Sequence, residues 1–486
     1  MAPTSSYPSH PFCPSYPSRA IAARIGAALF CLGLAGCATF SADGGFSAVE
    51  RATKDMIGKD VRWARTEGDH DLIATRVSEH LSKPLSADDA VQIALLNNRG
   101  LQADFAELGF AEASMVGASR LPNPGFSFIR TKRGDEIEIE RGLHFNLVKL
   151  LTLPLAAKVE AQRFELAKGN AAVTAIRLAN ETRRAYFQAL AADETVRYMR
   201  KVREVAEASA ELARRMASVG NWSRLQQARE QGFYADAALN VARAEQARIR
   251  SRESLTRLLG LWGTQTAFTL PERLPDLPKA PDERPDIEQR AMQSRLDVMG
   301  AKLSAQSLAS NLGLSKATRF INVLEIGVTR ETSNEAPVRR GVEISLELPL
   351  FDWGTARVAQ AEALYMQGVN HAAETAINAR SQVRESYHGY RIAYDIAKHY
   401  RDEVVPIRKR IADENLLRYN GMLIGVFDLL SDARSQIASV NSYIEALSDF
   451  WLAESDLQMA MIGTPSGTAV ASGARAAITT QAGGGH

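Results

Sequence analysis

The chain has 486 residues, 45% hydrophobic and 23% charged, enough apolar material for most of it to fold. Its 58 Lys+Arg against 56 Asp+Glu leave a formal net charge of +2, which gives no footprint for nucleic acid or another polyanion. Aromatic residues make up only 7% while alanine is abundant, a mixture suited to long helices packed through small side chains. The cysteines are Cys13, Cys31 and Cys37, so nothing beyond Cys37 can form a disulfide, a thiolate zinc site or a cysteine nucleophile. No apolar run reaches the roughly 18 residues that a membrane-spanning helix needs.

Residues 1–18 are rich in Pro, Ser and Tyr and favour no regular element. Arg19 and Arg24 then precede Ile25–Gly36, a short run of small and apolar residues. A positive flank, a short apolar core and small residues before a break mark a secretory signal. The run ends in Leu34-Ala35-Gly36-Cys37, which looks like a bacterial lipobox. That resemblance implies a signal peptide over 1–36, acylation of Cys37, and a lipidated N-terminal segment over 37–84. Ala38, rather than Asp, after the cysteine implies delivery to the outer membrane. The alternative is an ordinary signal peptide that happens to contain a cysteine.

The remainder repeats itself at a period near 200 residues. Tyr186 recurs as Tyr387 and Gly220 as Gly421, both offset by 201. Gly142–Leu147 is echoed by Gly341–Leu346, and the halves end alike in Leu258-Leu259-Gly260 and Met461-Ile462-Gly463. So long a period indicates a duplicated half-molecule, with repeats over 85–270 and 286–463. Between them, the proline-rich stretch 271–285 reads as a linker. The tail 464–486, mostly Gly, Ala, Ser and Thr, reads as disordered.

Each half is expected to run helix, strand pair, then a very long helical region. Ser86 caps the first helix, which Leu121-Pro122-Asn123-Pro124 ends; the second half opens its helix near Asp286 and continues to about Leu312. Val342, Ile344, Leu346 and Leu348 alternate with Glu343, Ser345 and Glu347. Ile137, Ile139, Leu143, Phe145 and Leu147 share one parity against Glu136, Glu138, Glu140, His144 and Asn146. That alternation gives each strand one oily and one watery face, as on a membrane barrel or on the surface of a soluble protein. Segments about 125–131 and 320–329 would complete two hairpins. Four strands are too few to close a barrel, so a membrane-spanning sheet would need several chains to pool theirs.

From Pro154 to Val219 the helical pattern covers 66 residues, about 100 Å at 1.5 Å per residue. Val202, Ser209 and Met216 recur at heptad spacing, with Val205, Leu212 and Val219 three positions later and Met199, Ala206 and Ala213 three before. A face this wide can contact neighbours on both sides, although an ordinary bundle core would show much the same periodicity. Glycines break the pattern at Val219-Gly220-Asn221-Trp222-Ser223 and at Asn420-Gly421-Met422-Leu423-Ile424-Gly425, where tight turns between antiparallel helices are expected.

Taken in order, these features resemble the TolC family of outer-membrane efflux channels, in its lipoprotein branch, over roughly residues 85–463. The resemblance is carried by Leu121-Pro122-Asn123-Pro124, Arg284-Pro285-Asp286, Leu348-Pro349-Leu350-Phe351-Asp352-Trp353-Gly354, and Tyr419-Asn420-Gly421 followed by Phe427-Asp428-Leu429-Leu430. It implies a mainly α fold with a small β part. Three chains would share a transmembrane β-barrel of four strands each, above a helical coiled-coil barrel crossing the periplasm. It implies a homotrimer in the outer membrane, lipid-anchored, that conducts passively from a periplasmic adaptor (membrane fusion protein) and a proton-driven inner-membrane pump. The turns, through Gly220, Asn221, Gly421, Met422, Leu423, Ile424 and Gly425, would be the tips that contact the adaptor. Asp428 stands where the family carries an acid facing the constricted entrance; Asp432 lies one position from the second such acid, and Arg434 would help hold the gate. A solvated surface role for these carboxylates is the plain alternative.

The competing class is a lipid-anchored periplasmic coiled-coil adaptor or scaffold. Such adaptors carry one central hairpin, and this chain has two long hairpin halves. Catalysis finds little support: the histidines show no HxxxH or HExxH spacing, and no G-x-S-x-G, P-loop or dinucleotide fingerprint stands in a strand–turn–helix context. No cofactor or metal is expected.

Overall fold

A computed structural model describes residues 39–320 and 323–465. The signal segment, Cys37 and most of the C-terminal tail lie outside the described residues. The chain divides into two compact units. One holds described residues 39–40, 113–157 and 323–349; the other holds 41–112, 158–320 and 350–465.

Two short helices come first, α1 (Phe46–Ile57) and α2 (Glu67–Leu81). They are followed by α3 (Ala87–Asn97), α4 (Arg99–Ala118), β1 (Gly125–Arg133), β2 (Glu136–Asn146), α5 (Leu147–Ser218) and α6 (Arg224–Leu259). The second half repeats the order with α7 (Ile287–Ser294), α8 (Leu296–Ala317), β3 (Leu324–Ser333), β4 (Arg339–Leu346), α9 (Thr355–His399), α10 (Val405–Asn420) and α11 (Val426–Ala460). A π turn over Tyr400–Val404 joins α9 to α10 just before Pro406, whose missing N–H and bulky ring spoil the regular ladder.

The opening helix of each half is broken once, where the sequence suggests a continuous helix. Asn98 (φ −66°, ψ 118°) separates α3 from α4, and Arg295 (φ −65°, ψ 119°) separates α7 from α8. Neither break contains proline. The freed side chains serve as caps. Asn97 donates to the carbonyls of Leu259 and Gly260, and Asn98 to that of Leu258. In the second half Ser294 donates to Met461 O and Arg295 to Ala460 O. Each break thus satisfies the orphan carbonyls that end its own half's last helix.

The core of the larger unit lies where the two halves meet. Phe450 packs against Tyr390 and Tyr394, and Phe187 stacks on Trp451 with ring centroids 5.2 Å apart. Tyr186 is buried and donates to Leu85 O at 2.9 Å; loss of solvent pushes its phenol up to about 12. Leu274 and Leu277 of the inter-repeat stretch are buried too, and Trp451 donates to Pro275 O.

The smaller unit is built on one antiparallel sheet in the order β1-β2-β3-β4. β2 pairs with β3, joining the two hairpins, and β1 and β4 are left as open edges. Phe126, Leu143, Val328 and Val342 stand opposite one another across the four strands, so the apolar parities of all four share a face. That face is bare: Val342 is 71% and Ile344 67% exposed. On the other face the His144 ring reaches Ser127 Oγ at 2.9 Å, lying over Gly327, where an added Cβ would come 2.7 Å from Nδ1.

Candidate functional site

The candidate site lies in the larger unit, at the two turns and the helices that follow them. α5 closes with Asn221 N–H on Met216 O at 3.0 Å, and Gly220 takes the left-handed conformation (φ 79°) as the sequence suggests. Ser223 then opens α6 through a capping box with Gln226. The second turn departs from expectation. Gly421 has an ordinary φ of −80°, and Met422 holds the left-handed conformation (φ 59°). Met422 N–H donates to Tyr419 O and Leu423 N–H to Arg418 O, both at 2.9 Å, which forces the reversal one residue after the glycine. Met422 is 93% and Leu423 77% exposed, whereas Ile424 is half-buried. An apolar side chain therefore sits on strained backbone in water.

Beyond this turn α11 begins at Val426 and places Asp428 in its first turn, exposed, where a carboxylate suits the positive end of the helix dipole. Asp432 turns back to α10 and accepts from Asn415 Nδ2. Arg434 reaches α6. Its Nη2 donates to Glu230 Oε1 at 2.6 Å, and its guanidinium lies 4.2 Å above the Phe233 ring. Glu230 is fully buried, and its second oxygen accepts from Ser209 of α5, also at 2.6 Å. The three expected gate residues do not form one cluster. Asp428 stays in solvent, Asp432 joins neighbouring helices of the second half, and Arg434 ties the second half to the first.

Glu230 and Ser209 did not emerge as site residues from sequence. The signal was present: Glu230 falls on the stripe shared with Phe233, Ala237, Val241 and Ala244, where a carboxylate needs a partner. Ser209 likewise interrupts the heptad row of Val202 and Met216. In that row's surroundings Val202, Ala206 and Ala213 are buried, while Val205 and Leu212 on one edge of α5, and Val219 just past its end, remain exposed.

No protein-family model matches the sequence, and no curated protein matches it significantly. Solved structures do. The open-state MtrE outer-membrane channel of Neisseria gonorrhoeae aligns with TM-score 0.65 at 17% identity, covering 78% of this chain and 89% of that one. The CmeC outer-membrane channel of Campylobacter jejuni gives 0.64 at 15% identity, covering 83% and 89%. The outer-membrane protein VceC of Vibrio cholerae gives 0.65 at 14% identity, covering 78% and 96%. Through nearly the full length of these proteins, the chain has the fold of the TolC-family outer-membrane channels.

Proposed function

We propose that this protein is the outer-membrane channel of a tripartite efflux system, passively conducting substrates delivered by a periplasmic adaptor and a proton-driven inner-membrane pump. The observation that carries the reading is the four-stranded sheet with two open edges and a bare apolar face. Lipid-exposed sheet edges are not tolerated, so such a sheet spans a membrane only if β4 of one copy pairs with β1 of the next. Three copies would close a barrel, and the exposed row of Val205 and Leu212 on α5, continued by Val219 at its end, offers each copy a second contact. The likeness to known outer-membrane channels supports the same reading.

The turn residues Gly220, Asn221, Gly421, Met422, Leu423, Ile424 and Gly425 are assigned to adaptor contact, supported by the exposed Met422 and Leu423. Asp428 is assigned to the channel entrance, where three copies would favour cations, and the Arg434–Glu230 pair to holding that entrance closed. Cys37 is assigned as the acylated residue; palmitate should label the wild type and not Cys37→Ala, and equal labelling would remove the assignment.

Cysteines placed along the β1 and β4 edges test the assembly. Edge pairing between copies yields covalent trimers from at least one β1–β4 combination under oxidation. A full scan giving only intrachain or no crosslinks would leave the lipid-anchored scaffold reading.

A further inference from the structure

The sheet sorts its charges by face. All six strand glutamates, at 136, 138, 140, 325, 331 and 343, share the parity opposite to the apolar residues. On the apolar face the charges are all positive. Arg141, Arg330 and Arg340 stand directly opposite one another on β2, β3 and β4, one row nearer the hairpin turns than Leu143, Val328 and Val342. Arg130 and Lys132 extend the same face on β1. Among the described residues none of the three aligned arginines has an ion-pair partner, whereas Arg339, on the other face, pairs with Glu331 at 3.6 Å.

Like charges set directly across neighbouring strands repel, and an anion bridging these three exposed arginines would relieve that repulsion. The three arginines line a shallow depression of about 650 Å³ together with Phe126, Leu143 and Val328. Its floor is apolar and its hairpin side cationic. A free phosphate would use only the arginines, while an uncharged acyl chain would use only the floor. An amphiphile with a phosphorylated head uses both, with guanidinium forks on phosphate oxygens and hydrocarbon along the apolar rows.

We infer that this patch is a binding site for the phosphorylated glycolipid of the outer leaflet, its phosphates held by Arg141, Arg330 and Arg340. The inference rests on the channel reading, which puts the hairpin turns at the outer surface, away from the strand end where α5 begins.

The test uses the full-length trimer in detergent, titrated with bis-phosphorylated lipid A and with the same lipid after enzymatic dephosphorylation. Wild type should bind the phosphorylated form at least about tenfold more tightly, and the triple variant R141Q/R330Q/R340Q should lose that preference. R133Q/R339Q, on the opposite face, should keep it. Equal affinity for the two lipids, or an unchanged preference in the triple variant, would overturn the inference. Should the triple variant fail to assemble, R330Q alone decides: a weakened preference supports the site and an unchanged one removes it. Conductance in neutral-lipid bilayers separates the two readings. A conducting wild type without lipid preference overturns this site alone, while a wild type that never conducts overturns the channel.

Discussion

Arg434 and Glu230, 204 residues apart, form a 2.6 Å ion pair that ties α11 of the second half to α6 of the first. Glu230 has no access to water and Arg434 is about one-third exposed, so the carboxylate depends on its partner far more than the guanidinium does. Arg434→Ala strands a buried charge and should cost about 3 kcal/mol, read as a lowered unfolding midpoint. Replacing both residues with Met should recover most of that loss. On the proposed channel reading, Arg434→Ala should also raise the conductance of the purified protein in bilayer recordings. A neutral effect on both stability and conductance would mean that the pair holds nothing closed.

The second turn makes an opposed pair of expectations. Met422 sits at φ 59°, a conformation that disfavours any side chain, while Gly421 does not need to be glycine: an added Cβ would find nothing nearer than 3.5 Å. Met422→Gly should therefore stabilise the isolated protein by about 1 kcal/mol and weaken adaptor binding. Gly421→Ala should leave both nearly unchanged. Thermal unfolding and adaptor titration of the two variants distinguish this from a turn that depends on Gly421.

Gly260 is the contrasting case. It ends α6 at φ 66°, and an added Cβ would lie 2.7 Å from Asn97 O, the residue whose amide caps that helix. Gly260→Ala should cost about 2–3 kcal/mol from conformation and crowding together. A loss below about 0.5 kcal/mol would show that the cap moves freely.

The two N-terminal helices carry a pH signature. Thr66 and Arg62 bond the Asp69 carboxylate at the start of α2, and Ser47 bonds Asp43 ahead of α1; both acids are lowered to about 2. A depressed carboxylate stabilises the fold above its unfolded value of about 3.9, and that contribution disappears as pH falls through the folded value. Pepsin cleavage within 43–81 should increase between about pH 4 and pH 2, and Asp69→Asn should already be cleaved at pH 4. Cleavage insensitive to both changes would place the anchorage of α2 elsewhere.

Much of this architecture is legible in the residues themselves. The alternation around Ile344 gives β4 and its faces, and Ser86 marks the start of α3. What escapes are features decided by tertiary partners. Asn98 and Arg295 break their helices without proline because their side chains bond carbonyls more than 150 residues away. The reversal falls on Met422 because two backbone hydrogen bonds set it there, against the local preference for Gly421. Glu230 lies on an apolar stripe, and only the approach of α11 shows that its partner is Arg434. The short helices α1 and α2 carry a readable Thr66–Asp69 capping box inside a stretch read only as a lipidated segment.

The face assignment of the sheet has its own consequence. Lys at Ile344, on the apolar face, should cost about 2–4 kcal/mol near a bilayer midplane, while Lys at Ser345 on the other face should be tolerated. Yield of heat-resistant oligomer reads the difference, and equal behaviour of the two variants would contradict the assignment.

Electrical recording of the purified full-length protein in planar lipid bilayers tests the central claim most directly. A barrel pooled from several copies should give discrete, stable conductance steps with cation preference, and Asp428→Ala should weaken that preference without abolishing the steps. A protein that assembles and associates with the membrane yet produces no conductance steps would contradict the channel and leave a lipid-anchored scaffold in its place.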